Sequence, residues 1–407
     1  MAAVQTGVDM QLAYKAQSAL GTAASGSGGQ SLRRVQSTLE LTKDTYQSAE
    51  IRPDYQVADF RHGFKKVGGT ISGEISAGSY ADFCAAFLRQ AYTAVTAITG
   101  VSLTIAGSGP TYTVTRASGD FLTGGIKIGH VVRLSVGSLN AANISKNLLV
   151  TGVTSTVLTV LPVNGVALVA EGPIATCTVT VTGKQSFCPT SSQTAKYFTI
   201  EHYYPNMSAV NSETFTDCVI CDMSMNLPPT GMATIDFNIM GLAMTTGTSQ
   251  VLTSPTAVTT SGITAAVNGV LRASSGALAN VTGIKINGTN NCSVAGPVVG
   301  SNVGVDVVKG RHVVTGEITA FFDSITLRDA FLNETELGLY AVLTADSTAT
   351  SSFIAISIDR LKLGGATRSD GEGIKTVTLP FQALYNTSGG SGISTEATTL
   401  RIQDSAA

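Results

Sequence analysis

The sequence predicts a mainly β fold: two tandem β-sandwich or barrel domains, each with one flanking helix, and a small all-β domain inserted in the first. Three observations predict it. The 407 residues are crowded with Thr, Ser, Val, Ala and Gly, contain no Trp and are only 13% charged, the composition of strands joined by many turns. Thr70-Ile71-Ser72-Gly73-Glu74-Ile75-Ser76 returns as Val313-Val314-Thr315-Gly316-Glu317-Ile318-Thr319, 243 positions later, and Ala86-Phe87-Leu88 returns as Ala330-Phe331-Leu332, 244 later. Ordered matches of this kind mark a duplicated unit. Downstream, Thr234-Ile235-Asp236-Phe237-Asn238-Ile239 matches Thr376-Val377-Thr378-Leu379-Pro380-Phe381 at a spacing of only 142. The first copy therefore carries about 100 extra residues, read as an inserted domain over 93–194.

The elements follow in order. Residues 1–30 include Gly21-Thr22-Ala23-Ala24-Ser25-Gly26-Ser27-Gly28-Gly29, whose ordering is entropically costly, and read as a flexible N-terminal arm ordered only against a neighbour. The first domain occupies 31–92 and 195–244. It holds a strand at 36–42 that includes Leu39-Glu40-Leu41 (matching Ile284-Lys285-Ile286), a strand at 67–76, and a helix near 79–91 with Tyr80, Phe83, Cys84, Phe87 and Leu88 on one face. Met223-Ser224-Met225 matches Leu361-Lys362-Leu363. The insertion shows alternating runs at 101–105, 112–116, 130–136, 148–153, 157–161 and 175–181 between turn signals such as Gly107-Ser108-Gly109-Pro110, enough for a small barrel or sandwich. Residues 245–279 read as a linker, 245–269 being alternatively a lightly packed strand pair, and 280–385 as the second domain, with its helix from Ser324 to about Glu336. Residues 386–407 read as a Ser/Gly-rich C-terminal tail with one strand at 399–402.

Charge and cysteine usage exclude several classes. A net charge of −2 supplies no clustered cations to grip phosphates. No basic head with an apolar run opens the sequence and no stretch reaches the roughly 20 apolar residues of a spanning helix, so the chain reads as soluble, without membrane insertion, and made in the cytoplasm. Six scattered cysteines do not form a disulfide framework in a chain of this size. The Asn-x-Ser/Thr matches follow from Ser/Thr richness alone.

The search for chemistry ends without a catalytic constellation. Cys218 and Cys221 have CxxC spacing, but inside a strand residues three apart face opposite sides, and no second ligand pair exists for a metal. His62, His130, His202 and His312 are scattered. Glu74 and Glu317 recur in the two copies and would form an acid/base pair only across a cleft; alternation places each on the polar face of a strand. No phosphate loop, dinucleotide fingerprint or nucleophile elbow appears. The chain reads as no enzyme, with no cofactor and no metal. The cluster Arg61 to Lys66, with Glu50, Asp54 and Asp59 nearby, is a mixed-charge loop suited to a complementary protein surface.

A strand, a long loop, a Gly-Glu-Ile strand, one helix and then hairpin strands, given twice, resembles the tail tube proteins of long-tailed, siphovirus-like bacteriophages. Gly73-Glu74-Ile75 and Ala86-Phe87-Leu88, with their second copies, carry the resemblance, which covers 30–92, 195–244 and 280–385. It implies a structural virion protein of tail-tube-type domains, polymerising into stacked rings whose channel passes DNA in genome ejection and host cell entry. Such rings usually hold six tube units, so a duplicated chain implies a homotrimer in a pseudo-hexameric ring. The partners implied are further copies of the chain, tape measure protein and viral DNA in the lumen without sequence-specific binding, and tail terminator and distal tail proteins at the ends.

In that family the connection after the first strand reaches the next ring. Carried to 43–66 and 288–312 here, this makes Arg52, Asp54, Tyr55, Arg61, His62, Lys65, Lys66, Lys309, Arg311 and His312 inter-ring contact candidates. The insertion is expected to decorate the exterior, so that deleting 93–194 leaves assembly intact, and the lumen is expected to be neutral to acidic. The rival reading is a surface adhesin or carbohydrate-binding protein of tandem β domains; a tail-associated hydrolase is a weaker third.

Overall fold

The computed structural model describes residues 5–407 except 208, 210, 266–268, 274, 275, 278, 279, 323–325 and 371. Among these, 27 strands and two α-helices are formed. The first unit opens with β1 (Gln11–Ala16), β2 (Gln30–Ser31), β3 (Gln36–Ser37), β4 (Glu40–Gln47), β5 (Phe60–Glu74) and α1 (Ala81–Phe87). Six strands follow: β6 (Ile98–Ala106), β7 (Tyr112–Arg116), β8 (Val131–Ser135), β9 (Leu148–Val153), β10 (Val157–Pro162) and β11 (Glu171–Val181). The unit resumes with β12 (Lys184–Phe187), β13 (Phe198–Tyr203), β14 (Ser212–Leu227), β15 (Thr234–Gly241) and β16 (Ala243–Gly247). The second unit comprises β17 (Gly269–Ala273), β18 (Gly276–Ala277), β19 (Val281–Thr289), β20 (Ser293–Val294), β21 (Val307–Val308), β22 (Val313–Phe321), α2 (Thr326–Leu332), β23 (Leu337–Thr344), β24 (Phe353–Leu363), β25 (Thr367–Arg368), β26 (Thr376–Ala383) and β27 (Arg401–Asp404).

Period-two alternation sets the central layer. An antiparallel sheet runs β4–β5–β15–β14–β19–β22–β26–β24. Ile71, Ile235, Phe237, Met223, Met225, Ile284, Ile286, Ile318 and Leu379 bury one face, while the polar residues between them line the other. The buried face packs on two outer sheets, β2–β1–β13–β14–β16 and β18–β17–β23–β24–β27–β12. β14 and β24 each belong to both layers; β14 turns the corner at Asp217, whose φ is +56. One continuous apolar core joins Phe83, Phe198 and Phe237 of the first unit to Ile356, Ile358 and Leu379 of the second. At about 1.5–3 kcal/mol for each fully buried large apolar side chain, this shared core binds the two units together.

The helices differ in cover. In α1, Phe83, Cys84, Ala86 and Phe87 are buried, and Arg89 at φ +60 turns the chain out of the helix. α2 ends in the same way at Glu334, φ +50, but Leu332 is exposed. Ser324 and Ile325, part of the helix expected from the sequence, lie outside the described residues.

Strands β6–β11 close into a barrel in the order β10–β7–β6–β11–β8–β9, around its own core of Leu103, Val114, Leu134, Leu158, Val160 and Val179. This barrel is not free of its host. Val131, Leu149 and Val163 pack on Val342, Phe353 and Ala355 of the second unit. Asn147 Nδ2 donates to Ser351 O at 2.8 Å and Gln403 Nε2 to Val131 O at 2.9 Å. Since Ile354, Ile356 and Ile358 of β24 face the core, the barrel covers the opposite side of the outer sheet, away from the polar face of the central one. Deleting 93–194 would uncover Val342, Phe353 and Ala355, a cost the sequence expectation lacks.

The N-terminal end departs from expectation. β1 is no free arm: Leu12, Ala13 and Tyr14 are buried and the strand pairs with β13 of its own chain. The Gly/Ser-rich stretch that follows concealed it. At the other end, β27 is fully buried between β24 and β12, with the Arg401 guanidinium donating to Ile128 O at 2.5 Å. The strand expected at 399–402 thus lies two residues further on, and its buried side chains are largely polar.

The ladders also correct the repeat. Gly73 lies opposite Ile235 and Gly316 opposite Phe381, so with the Gly73/Gly316 match kept, Thr234–Ile239 superposes on 380–385, four residues beyond the sequence match. Ser37 pairs with Ile71 and Gly288 with Val314, so β19 superposes on residues around β3, six before Leu39-Glu40-Leu41. The Met223/Leu361 match stands, since Met225 lies opposite Ile235 and Leu363 opposite Phe381. Both slips are even, and an even slip leaves every side chain on its face. Glycine recurs in the motif for a local reason: a Cβ on Gly73 would meet the Tyr80 hydroxyl, and one on Gly316 the Lys285 carbonyl and the Phe381 ring.

Candidate assembly interfaces

Three surfaces stand out. The first is the polar face of the central sheet, where alternation sets Thr70, Ser72 and Glu74 of β5 beside Asp236 and Asn238 of β15, Asp222 and Ser224 of β14, Lys285 and Asn287 of β19, and Thr315 and Glu317 of β22. Asn238 Nδ2 donates to Asp222 Oδ2 at 2.8 Å and Ser224 Oγ to Asn287 Oδ1 at 2.7 Å, tying neighbouring strands across the face. Among the described residues, carboxylates and scattered lysines share it, with no stripe of cations.

The second is the seam between the units. β14 and β19 pair antiparallel from Asp222↔Thr289 to Leu227↔Ile284, with Met225 opposite Ile286. Each unit contributes four strands in the same order: β3/β4, β5, β15, β14 in the first and β19, β22, β26, β24 in the second. The last strand of the first unit thus holds the first strand of the second. At the far ends, among the described residues, β4 pairs only with β5 and β24 beyond Leu361 only with β26.

The third is the pair of long connections holding the sequence candidates. In residues 48–59 and the adjoining strand ends, Arg52 forms a charged hydrogen bond to Asp54 at 2.9 Å, which holds the Asp54 carboxyl below its ordinary range. Arg61 pairs with Asp59 at 2.7 Å, and the His62 ring meets Phe60 edge-on at 5.4 Å. Tyr55 is 98% and Ile51 99% exposed. The Lys65 N–H donates to Asn302 O at 2.9 Å, where the two connections touch, and the Lys66 side chain is exposed.

The second connection folds back. Val307 and Cys292 pack with Val219, Cys221 and Leu242 of the first unit. Lys309 Nζ donates to the Ala86 carbonyl at 3.2 Å, and Asn290 Nδ2 to the Phe87 carbonyl at 3.0 Å, satisfying two of the orphan carbonyls at the α1 C-terminus. Burial pushes the Lys309 ammonium down. The His312 ring lies 5.0 Å from that of Phe87 with Nδ1 3.1 Å from Asn290 Oδ1; burial, then Arg89, lowers it to about 4. Arg311 is exposed and its carbonyl accepts from Asn291 Nδ2 at 2.8 Å. The structure therefore gathers Lys309 and His312 around α1, apart from the exposed set at 52–62.

Cys218 faces the main core and Cys221 the cluster of the second connection, and burial pushes the Cys218 thiol up. Among the described residues no group of three or more His, Cys, Asp or Glu side chains is placed to hold a metal, and no helix is long and apolar enough to cross a membrane. Sequence reasoning missed the seam; its signal was the exposed polar alternation shared by β14 and β19.

A family model described as phage tail tube protein matches residues 7–383. No curated protein matches the chain.

Proposed function

Because the chain belongs to the phage tail tube protein family, a family of structural virion components, we propose that it polymerises into stacked rings around a channel that passes DNA during genome ejection. One observation supports this: the seam already joins two four-stranded units edge to edge, and among the described residues no strand covers either end of the resulting sheet. An open sheet edge is a template for further pairing, and closure into a barrel removes it. Three chains would supply six units, a homotrimer with pseudo-sixfold symmetry. We assign 31–92 with 195–244 and 280–385 to the two tube units, with β1 and β12 added to the first, β17, β18 and β27 to the second, the rest of 245–279 joining them, and the barrel β6–β11 as an outward domain. The tail is taken as siphovirus-like and assembled in the host cytoplasm.

The polar face of the central sheet is then the channel wall. Glu74, Asp222, Asp236 and Glu317 set against Lys285 make it neutral to mildly acidic, so DNA meets no cation lattice whose counterion release would hold it. Tape measure protein would occupy the channel before DNA, and terminator and distal tail proteins would close its ends. The exposed Arg52, Asp54, Tyr55, Arg61 and His62 are assigned to contacts between rings, where complementary charge fixes register.

Negative-stain electron microscopy and mass measurement of the purified protein test the reading. Hollow tubes built from rings of three chains are expected. Dispersed monomers that bind sugar would overturn it in favour of an adhesin.

A further inference from the structure

Within the seam, Met225 lies opposite Ile286 and Met223 opposite Gly288. The ladders give each position its counterpart at the free edges. Leu363 stands where Met225 stands, since both lie opposite the partner of the repeated glycine. Val35 stands where Ile286 stands, two residues before Ser37, the counterpart of Gly288. Burial agrees with an unfilled junction: Ile286 is 0% exposed, whereas Val35 is 65% exposed. On β24, pairing with β23 reaches only Leu361, through Leu337, leaving that side of Lys362 and Leu363 without a strand among the described residues.

We propose that β24 of one chain pairs antiparallel with the β3 edge of a second copy in the seam's register: Leu363 opposite Val35 and Lys362 opposite Gln36. The occupant is a second copy of this chain, because the seam shows this edge chemistry already satisfied by the repeated unit itself. Val35 and Leu363 then bury one another as Ile286 and Met225 do, and Ser37, whose Oγ lies 2.9 Å from His202 Nε2, is held on the core side as Gly288 is. The register rests on the ring reading and differs from the one that sequence matching gives, which sets Leu363 opposite Leu41.

Paired cysteines in the full-length protein test it. Val35→Cys with Leu363→Cys, after mild oxidation of assembled material, is expected to give covalent species of two and three chain masses on a non-reducing gel, the chain being 41.8 kDa. Met225→Cys with Ile286→Cys is the in-chain control for the geometry, and each single variant the control for folding and for the native thiols. Tubes that cross-link through Leu41→Cys with Leu363→Cys, but not through Val35→Cys, would overturn the register and leave the ring reading standing. Protein that stays monomeric and uncross-linked with intact singles would overturn both.

Discussion

Residues 39–69 and 290–312 join the same two strands of the repeated unit, yet the first connection projects and the second is packed. In the first, Ile51, Tyr55, Val57 and Phe60 are exposed around an Arg52–Asp54 pair. In the second, Val307 is buried among Val219, Cys221 and Leu242, and Lys309 caps α1. The difference lies in what each connection can reach. The second rests on the first unit, whereas residues 49–60 of the first connection are exposed throughout. Exposed apolar side chains in one copy thus mark a surface whose counterpart is already covered in the other.

Substitutions separate the two connections, and the largest effect belongs to the packed one. Val307→Asp buries an unpaired charge and should destabilise the dispersed protein by about 4 kcal/mol, read by urea unfolding. Ile51→Asp should change unfolding by no more than about 0.5 kcal/mol while abolishing tubes in micrographs. Equal losses of stability at the two sites would break the comparison.

Acid should act next. His202 and His312 are both lowered from 6.5 to about 4, chiefly by burial, so each supports the fold above 6.5 and that support is lost as pH falls from 6.5 through 4. At 1.36 kcal/mol per pH unit, each contributes at most about 3 kcal/mol to the loss. Melting at pH 7 and pH 4.5 should show it, and His312→Asn should flatten the slope. A melting temperature unchanged by acid would contradict the buried placement of both rings.

A smaller effect belongs to the helix cap. Lys309→Met removes the donor to the Ala86 carbonyl and should cost about 1 kcal/mol, whereas Lys66→Met on the exposed connection should leave unfolding unchanged. The smallest is Arg52→Ala: no shift in melting is expected from a fully exposed pair, but tube yield should become less sensitive to salt. A stability loss there would show that the projecting connection is packed after all.

Much of this arrangement was legible in sequence, and the illegible parts have physical causes. Alternation marked the six barrel strands and the two faces of the central sheet, because period two survives in any register. Register itself was invisible for that same reason: slips of four at Thr234 and six at Leu39 keep Ile and Leu on the buried face. The set at 52–62 was singled out by the family resemblance, beside the mixed charge around Arg61 to Lys66, and the structure leaves it exposed. Lys309 and His312 looked equivalent to it, and only the surface of α1, distant in sequence, turns them inward. β1 escaped because a short strand beside a Gly/Ser-rich run carries little pattern of its own, whereas the C-terminal strand was placed to within two residues and only its burial was missed.

The barrel belongs to the first unit by sequence and rests on the second by contact. Gln403 reaches back to Val131 and Thr182, and Asn147 to Ser351, so it acts as a splint across the pair. A gene cut between the units would leave one product with an undocked barrel and the other with a bare apolar shelf at Val342 and Phe353. The two repeats are thereby unequal: the chain is a fused pair that does not divide into two self-sufficient halves.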